Sequence, residues 1–163
     1  AAAQRPLLRR QGLHADIERM QAKVRDHQKA QAAEEAAAVI DVAKQLLADA
    51  ASAGDTRVIV GEVPQAPTEK LREAVDWLRQ KSGSAAVLLF SPSGAKVTLL
   101  AALTKDVVDG GLSAKAILGE AGKIVGGGGG GRPELAQGGG KKPEKVGEAT
   151  EHVRAWLLEQ LGA

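Results

Sequence analysis

The sequence predicts an α+β (or α/β) fold, in which a long N-terminal helical arm precedes a small sheet-and-helix globular domain with a glycine-rich loop. Between Pro6 and Pro64 there is no proline, and this interval is rich in residues that favour helix. After Gly54 the apolar residues leave the helical period and form short β-branched runs separated by turn residues. We therefore assign residues 1–54 to the arm and residues 55–163 to the globular domain.

Two sets of apolar residues mark the arm. The first has the spacing of a coiled coil: Leu13, Ile17, Met20 and Val24. The second precedes Gly54: Val39, Val42, Leu46 and Leu47. Because so narrow an apolar stripe cannot form a core alone, we expect the arm to form a coiled coil or a helical hairpin and to mediate dimerisation. The sequence allows both a monomer with a folded-back arm and an antiparallel homodimer.

The globular domain is predicted as strand, helix, two strands, helix, glycine-rich loop and helix. TRVIVGEV has the composition of a strand, and the next helix is predicted to have Thr68 as its N-cap and to end at Gly83. Apolar runs on both sides of residues 91–94 predict a hairpin. Ser113 is the predicted N-cap of a helix that extends through Val125, and PEKVGEATEHVRAWLLEQLG predicts a last amphipathic helix.

The composition argues against several classes of function. There is no cysteine, which excludes disulfides and thiolate metal sites, and His14, His27 and His152 have no helical ligand spacing, so we expect no metal site. No Ser-His-Asp set can be assembled, and we therefore expect no catalytic residues, no cofactor and no enzymatic activity in this chain. With only two tryptophans and one phenylalanine, base stacking is expected to be secondary.

The sequence also bears on location. No apolar run approaches the ~20 residues of a membrane helix, and no signal-peptide pattern is present. We expect a cytoplasmic protein without a membrane partner. The first residue is alanine rather than methionine, which suggests a part of a longer protein.

The segment GKIVGGGGGGRPELAQGGGKK, residues 122–142, is the most unusual feature of the sequence. A dinucleotide-binding motif would lie between a strand and a helix, whereas a helix precedes this run. In a P-loop the run would be followed by Lys-Ser/Thr, but here Arg132 and Pro133 follow. A flexible linker would not contain RPELAQ. We interpret this insert as one helical turn with Pro133 at its first position.

Such a loop would offer backbone amides and a positive helix end to a phosphate. Arg132 would add a bidentate donor, lysines a positive rim, and Gln137 either a contact to a base edge or an anchor for the loop. The candidate nucleic-acid-binding residues are Lys123, Gly128, Gly129, Gly130, Gly131, Arg132, Gln137, Lys141 and Lys142. The alternative is that the glycines serve only the packing of the helix before them against the sheet.

The charge distribution allows a polyanionic partner. Basic residues outnumber acidic residues from Arg5 to Lys29 and again from Lys115 to Lys145, although the formal net charge is only +2. Ordinary solvated helix faces would give the same pattern. For this reason charge alone leaves the roles of Lys115, Arg72 and Arg79 open.

GGGGGGRPELAQGGG closely resembles the glycine motif of the C-terminal domain of alanyl-tRNA synthetases (C-Ala), which belongs to the DHH-associated family. The pairs Arg132-Pro133 and Ala136-Gln137 are typical of the synthetase form, whereas the nuclease branch has a histidine in place of Arg132. The preceding LSAKAILGEAGKIVGG is also similar to the family's helix before the loop.

The resemblance implies a non-catalytic module of an alanine-tRNA ligase. Such a module binds alanine-specific tRNA at the elbow, where the D and T loops meet, and supports cooperation between aminoacylation and editing. Its arm commonly dimerises. The alternative is a dimerisation or scaffold module of the same fold with weak or general nucleic-acid binding, including DNA. A third possibility, the accessory half of a DHH phosphodiesterase, is disfavoured by the arginine at position 132.

Overall fold

The computed structural model describes the backbone of residues 5–162 and the side chains of residues 12–35 and 37–162. The helices are α1 (Arg5–Ala48), α2 (Thr68–Ser82), α3 (Lys105–Asp109), α4 (Ala114–Val125) and α5 (Val146–Gln160). The strands are β1 (Ala51–Ala53), β2 (Thr56–Glu62), β3 (Ala85–Ser93), β4 (Lys96–Leu103), β5 (Gly128–Gly131) and β6 (Leu135–Gly140). A 3-10 turn, Pro143–Lys145, leads into α5.

The chain divides into two compact units, Ala1–Glu35 and Ala36–Ala163. In the first unit, nearly all side chains of residues 12–35 are exposed. In the second unit, Val39 and Ala43 of α1 are fully buried. α1 is one uninterrupted helix, so residues 5–48 do not form the helical hairpin considered from the sequence. The boundary at residue 54 stays a prediction.

The six strands form one mixed sheet in the order β1-β2-β3-β4-β6-β5. Among the strands of residues 5–162, β2 and β3 form the single parallel pair, and α2 makes the crossover between them. β6 pairs antiparallel with β4, from Val97 opposite Gly140 to Ala102 opposite Leu135. β5 pairs antiparallel with the other side of β6 and is the last strand of the sheet.

Both faces of the sheet are covered by apolar side chains. On one face, strands β3 and β4 pack against α4 and α5 through Leu88, Phe90, Leu99, Ile117, Leu118, Val153 and Leu157. On the other face, strands β2 to β4 pack against α2 and the end of α1 through Ile59, Val87, Leu89, Leu100, Leu71, Val75, Leu78 and Val39. Burial of a side chain of this size contributes about 1.5–3 kcal/mol, and this core holds the sheet edge at β6 and β5 in place.

The α+β fold is confirmed, and most elements lie where the sequence predicts them. α2 ends at Gly83, which has φ +74, and Ser113 caps α4 by accepting a hydrogen bond from the Ala116 N–H at 3.2 Å. The β3–β4 hairpin also forms, although its turn is shorter than expected. β3 extends through Ser93, and the turn contains only Gly94 and Ala95.

The predicted N-cap of α2 is wrong. Thr68 is the first residue of the helix, and no side chain caps it. Pro67 precedes it in an extended conformation, and the Pro67 carbonyl accepts hydrogen bonds from Lys70 and Leu71 at 3.0 and 3.2 Å. Proline fixes its own φ, so the backbone of Pro67 starts the helix without help from the threonine hydroxyl.

Two kinds of feature are absent from the residues that the structure describes. None of the helices described in the structure is long and apolar enough to cross a bilayer. The same part of the chain contains no group of three or more His, Asp or Glu residues that could hold a metal ion.

Candidate nucleic-acid interface

The glycine-rich segment forms a β-hairpin, and the predicted helical turn over RPELAQ is wrong. Arg132 and Leu135 exchange backbone hydrogen bonds at 2.9 and 3.2 Å, which closes the hairpin around Pro133 and Glu134. The carbonyl of Glu134 accepts from Leu103 N–H at 2.9 Å, and that of Pro133 from Ala114 N–H at 2.8 Å. Because β6 pairs with β4, the segment becomes part of the sheet. Its backbone N–H and C=O groups are satisfied by sheet and turn hydrogen bonds, which a helix would have to break.

The base of the hairpin is attached to the C-terminal end of α4. Gly126 ends that helix in the left-handed conformation, with φ +70, which favours glycine. The carbonyl of Val125 accepts the N–H groups of Lys141 and Lys142, both at 2.9 Å. The helix end beside the hairpin therefore presents carbonyls. The positive helix end predicted from RPELAQ does not form, because this segment is not helical.

The hairpin glycines fall into two groups. A Cβ atom at Gly127 or Gly129 would overlap backbone atoms of β6, and a Cβ atom at Gly138 would lie 2.5 Å from the carbonyl oxygen of Gly128. Packing thus requires these glycines. In contrast, a Cβ atom at Gly128 or Gly130 would have no neighbour within 4 Å, and neither residue has a positive φ. The fold does not require glycine at positions 128 and 130.

β5 presents bare backbone at the edge of the sheet. All four of its residues are exposed, and within the described part of the chain β6 is its single strand partner. Hydrogen-bonded and non-hydrogen-bonded pairs alternate along an antiparallel ladder. Because Arg132 and Leu135 form a hydrogen-bonded pair, the N–H and C=O groups of Gly129 and Gly131 point away from β6. A partner at this edge would meet main-chain donors and acceptors with no side chains in between.

Arginine side chains surround the tip of the hairpin. Arg132 is exposed. Gln137 faces α2, where its Oε1 accepts a hydrogen bond from Arg72 Nη2 at 2.7 Å. Arg79 also lies on this side, and it pairs with Asp76 and donates to the carbonyl of Leu103 at 3.3 Å.

Comparison with known proteins shows the family to which this chain belongs. Residues 55–159 match the model of the DHHA1 domain. The chain belongs to the DHHA1 domain family. It is 46% identical over 121 residues to the alanine–tRNA ligase of Rhodopirellula baltica, and 39% identical over 145 residues to that of Trichodesmium erythraeum. These alignments cover 74% and 89% of this chain but only 13% and 17% of the ligases, so the chain spans a small part of their length.

The structure is similar to the C-Ala domain of the Aquifex aeolicus alanyl-tRNA synthetase, with a TM-score of 0.60 and 36% sequence identity. That comparison covers 70% of this chain and 98% of the Aquifex domain. The resemblance inferred from the glycine motif, Arg132-Pro133 and Ala136-Gln137 is therefore confirmed. The fold of this DHHA1 domain, a long N-terminal helix before a mixed sheet with helices, matches the C-Ala fold.

In this DHHA1 domain the candidate residues follow the length of the hairpin. Arg132 and Gln137 lie at and beside its tip, whereas Lys141 and Lys142 lie exposed at its base. Lys123, in the last turn of α4, is exposed and forms an ion pair with Glu120 at 2.6 Å. The hydrogen bonds from Lys123 and, at 3.2 Å, His152 lower the pKa of Glu120 below its ordinary value. Part of the charge of Lys123 is thus compensated within the protein.

The position of Arg72 beside the hairpin could not be predicted from the sequence. Its partner Gln137 lies 65 positions away in the chain, and only the pairing of β6 with β4 brings the two together. Lys115 is exposed in the first turn of α4.

Proposed function

We propose that this chain is the non-catalytic tRNA-binding module of an alanine–tRNA ligase, and that the β5–β6 hairpin contacts the elbow of alanine-specific tRNA. In this proposal the module works in the cytoplasm and supports cooperation between aminoacylation and editing, which other parts of the ligase carry out. Membership of the DHHA1 family and the likeness to C-Ala support it.

The observation that carries the proposal is the open space around Gly128 and Gly130. Glycine costs more conformational entropy on folding than any other residue, and in a strand it is destabilising by roughly 0.5–1 kcal/mol relative to alanine. At Gly127 and Gly129 packing explains that cost, but at Gly128 and Gly130 it does not. A partner that lies flat against the edge strand accounts for two glycines that the fold does not need.

The elbow of a tRNA suits such a surface. RNA helices are recognised mainly by shape and through the phosphate and 2′-hydroxyl groups, and an exposed base pair offers a flat face. In this proposal Arg132 at the tip and Lys141 and Lys142 at the base, all of them exposed, contact phosphates on both sides of that face. Base stacking on aromatic side chains has no part in this arrangement.

The test measures the affinity of the chain for tRNA after a glycine of β5 is replaced by alanine, which adds a single methyl group. We expect Gly130→Ala to weaken tRNA binding at least fivefold without loss of stability. Gly147→Ala is the matched control, because Gly147 is also exposed with no neighbour within 4 Å but lies in α5. Unchanged affinity for both variants would overturn the hairpin as the contact surface. Equal binding of duplex DNA would favour a general nucleic-acid-binding module.

A second function, dimerisation of the arm, is supported by the exposed apolar stripe in the first unit. Leu13, Ile17, Met20 and Val24 are exposed by 62, 43, 66 and 55%, respectively. Large apolar side chains at coiled-coil spacing are typical of a helix that pairs with another. In an antiparallel pairing centred between Glu18 and Arg19, Leu13 would meet Val24 of the second copy, and Ile17 would meet Met20. This pairing would also bring Asp16 near Lys23 of the second copy.

A further inference from the structure

The outer edge of β2 is covered by β1 over only part of its length. β1 pairs with β2 from Thr56 to Val58, whereas β2 continues to Glu62. Within residues 5–162, no second strand lies beside residues 59–62. The backbone N–H and C=O groups at an uncovered edge need other partners.

The hydrogen bonds between β2 and β3 show which groups point to this uncovered edge. Arg57 and Val63 donate their N–H groups towards β3, to the carbonyls of Ser84 and Phe90 at 2.9 and 2.8 Å. Because successive residues of a strand direct their backbone groups to opposite sides, the even-numbered residues of β2 point away from β3. The C=O group of Val60 therefore points to the uncovered edge, although Val60 is only 2% exposed.

Arg154 of α5 occupies this carbonyl. Its Nη2 donates a hydrogen bond to the carbonyl oxygen of Val60 at 3.1 Å, across 94 positions of the chain. A buried carbonyl that lacks a partner is costly, and a hydrogen bond from a charged donor is stronger than one from a neutral donor. Arg154 thus satisfies a group that β1 does not reach.

The chain just before β1 carries a second possible donor for the same carbonyl. Ala51 lies opposite Val58 in the antiparallel register, so a β1 that began two residues earlier would place Asp49 opposite Val60. In the structure the N–H of Asp49 is donated instead to the carbonyl of Gln45, at 3.0 Å, at the end of α1. The end of α1 and an extended β1 therefore compete for the same N–H group.

We propose that Arg154 is a latch that sets the boundary between α1 and β1. While Arg154 holds the carbonyl of Val60, α1 keeps its last turn. When Arg154 releases that carbonyl, Asp49 pairs with Val60, and β1 grows by two residues at the expense of α1. The end of α1 is thus coupled to α5, whether or not the chain binds nucleic acid.

The second state needs little rearrangement. The carbonyl that loses its partner in α1 belongs to Gln45, an exposed residue, and carbonyls at a helix end can bind water instead. Val60 is buried, so its carbonyl depends on a partner within the protein. Ala50 and Ala51 already pack against opposite faces of the sheet, as successive residues of a strand do.

The experiment is NMR spectroscopy of the ¹³C,¹⁵N-labelled chain, in which the scalar coupling across a hydrogen bond identifies the carbonyl that each N–H contacts. In the parent chain we expect the N–H of Asp49 to couple to the carbonyl of Gln45. In Arg154→Met we expect it to couple to Val60, and the N–H of Val60 to exchange with solvent about tenfold more slowly, because it gains an acceptor. Arg57→Met is the matched control, because Arg57 is an exposed arginine of β2 itself.

A folded Arg154→Met chain in which Asp49 still couples to Gln45 would overturn the inference. Slower exchange of the Val60 N–H without the new coupling would mean that a second chain pairs with the edge, and it would overturn the latch as well. If Arg154→Met does not fold, Arg154→Lys decides, because lysine keeps one donor and holds the carbonyl more weakly. We expect about threefold slower exchange of the Val60 N–H in that variant, and unchanged exchange would overturn the inference.

Discussion

At the residue scale, neighbouring glycines of the hairpin are under different constraints. A methyl group at Gly127 would overlap the carbonyl oxygen of Gly139, whereas Gly128 has open space around it. We expect Gly127→Ala to lower the free energy of unfolding by about 1–3 kcal/mol through overpacking, and Gly128→Ala to raise it by about 0.5–1 kcal/mol, because alanine loses less conformational entropy on folding than glycine. Chemical denaturation of both variants measures this difference. Equal losses would contradict the division of the glycines into two groups.

Glu120 gives the chain a stability that depends on pH. The hydrogen bonds from Lys123 and His152 lower the pKa of Glu120 in the folded chain. The stability from this carboxylate is therefore present above the unfolded pKa, about 4.3, and it is lost as the pH falls through the folded pKa. We expect Glu120→Gln to flatten the fall in unfolding free energy below about pH 4.3. An unchanged slope, measured by denaturation across acidic pH, would show that other carboxylates carry the effect.

At the element scale, the glycine hairpin shows where sequence reasoning stops. The periodic apolar residues of β2, α2, β3, β4, α4 and α5 predict those elements because each buries its own apolar side chains. β5 consists only of glycine, which is depleted in strands, and β6 contains GGG. β6 forms because it can pair with β4, and β5 then pairs with β6. Such a contact between distant parts of the chain leaves no pattern in the local sequence. The short elements β1 and α3 escaped prediction because three and five residues are too few to show a period.

The arm is predicted to dimerise through the stripe from Leu13 to Val24. Ile17→Asp would place a charge in the centre of that seam, and we expect it to shift the chain from dimer to monomer in sedimentation velocity. Ala22→Asp is the control, because Ala22 is exposed and does not belong to the stripe. A parent chain that still sediments as a monomer at about 100 μM, a concentration at which a dimer with a Kd of about 1 μM would be almost fully formed, would contradict the prediction.

At the scale of the whole molecule, the net charge is only +2, so the positions of the basic side chains matter more for binding a polyanion than their total number. The basic groups of the proposed interface follow the β5–β6 hairpin: Arg132 and Arg72 near its tip, Lys141 and Lys142 at its base. The positions of Arg132 and the two lysines beside the hairpin follow from the sequence, because they flank the glycines directly. The position of Arg72 does not, because it depends on how α2 lies against β6. A binding surface of this kind should depend strongly on salt, since phosphate contacts release counterions.

The measurement that tests the account most directly is a titration of the chain with intact alanine-specific tRNA and with a minihelix that lacks the D loop–T loop corner, across a series of salt concentrations. The account predicts tighter binding of the intact tRNA, a steep loss of affinity with salt, and a shallower salt dependence for Arg132→Ala. Equal affinity for tRNA and minihelix, or an Arg132→Ala variant that matches the parent chain at every salt concentration, would contradict it.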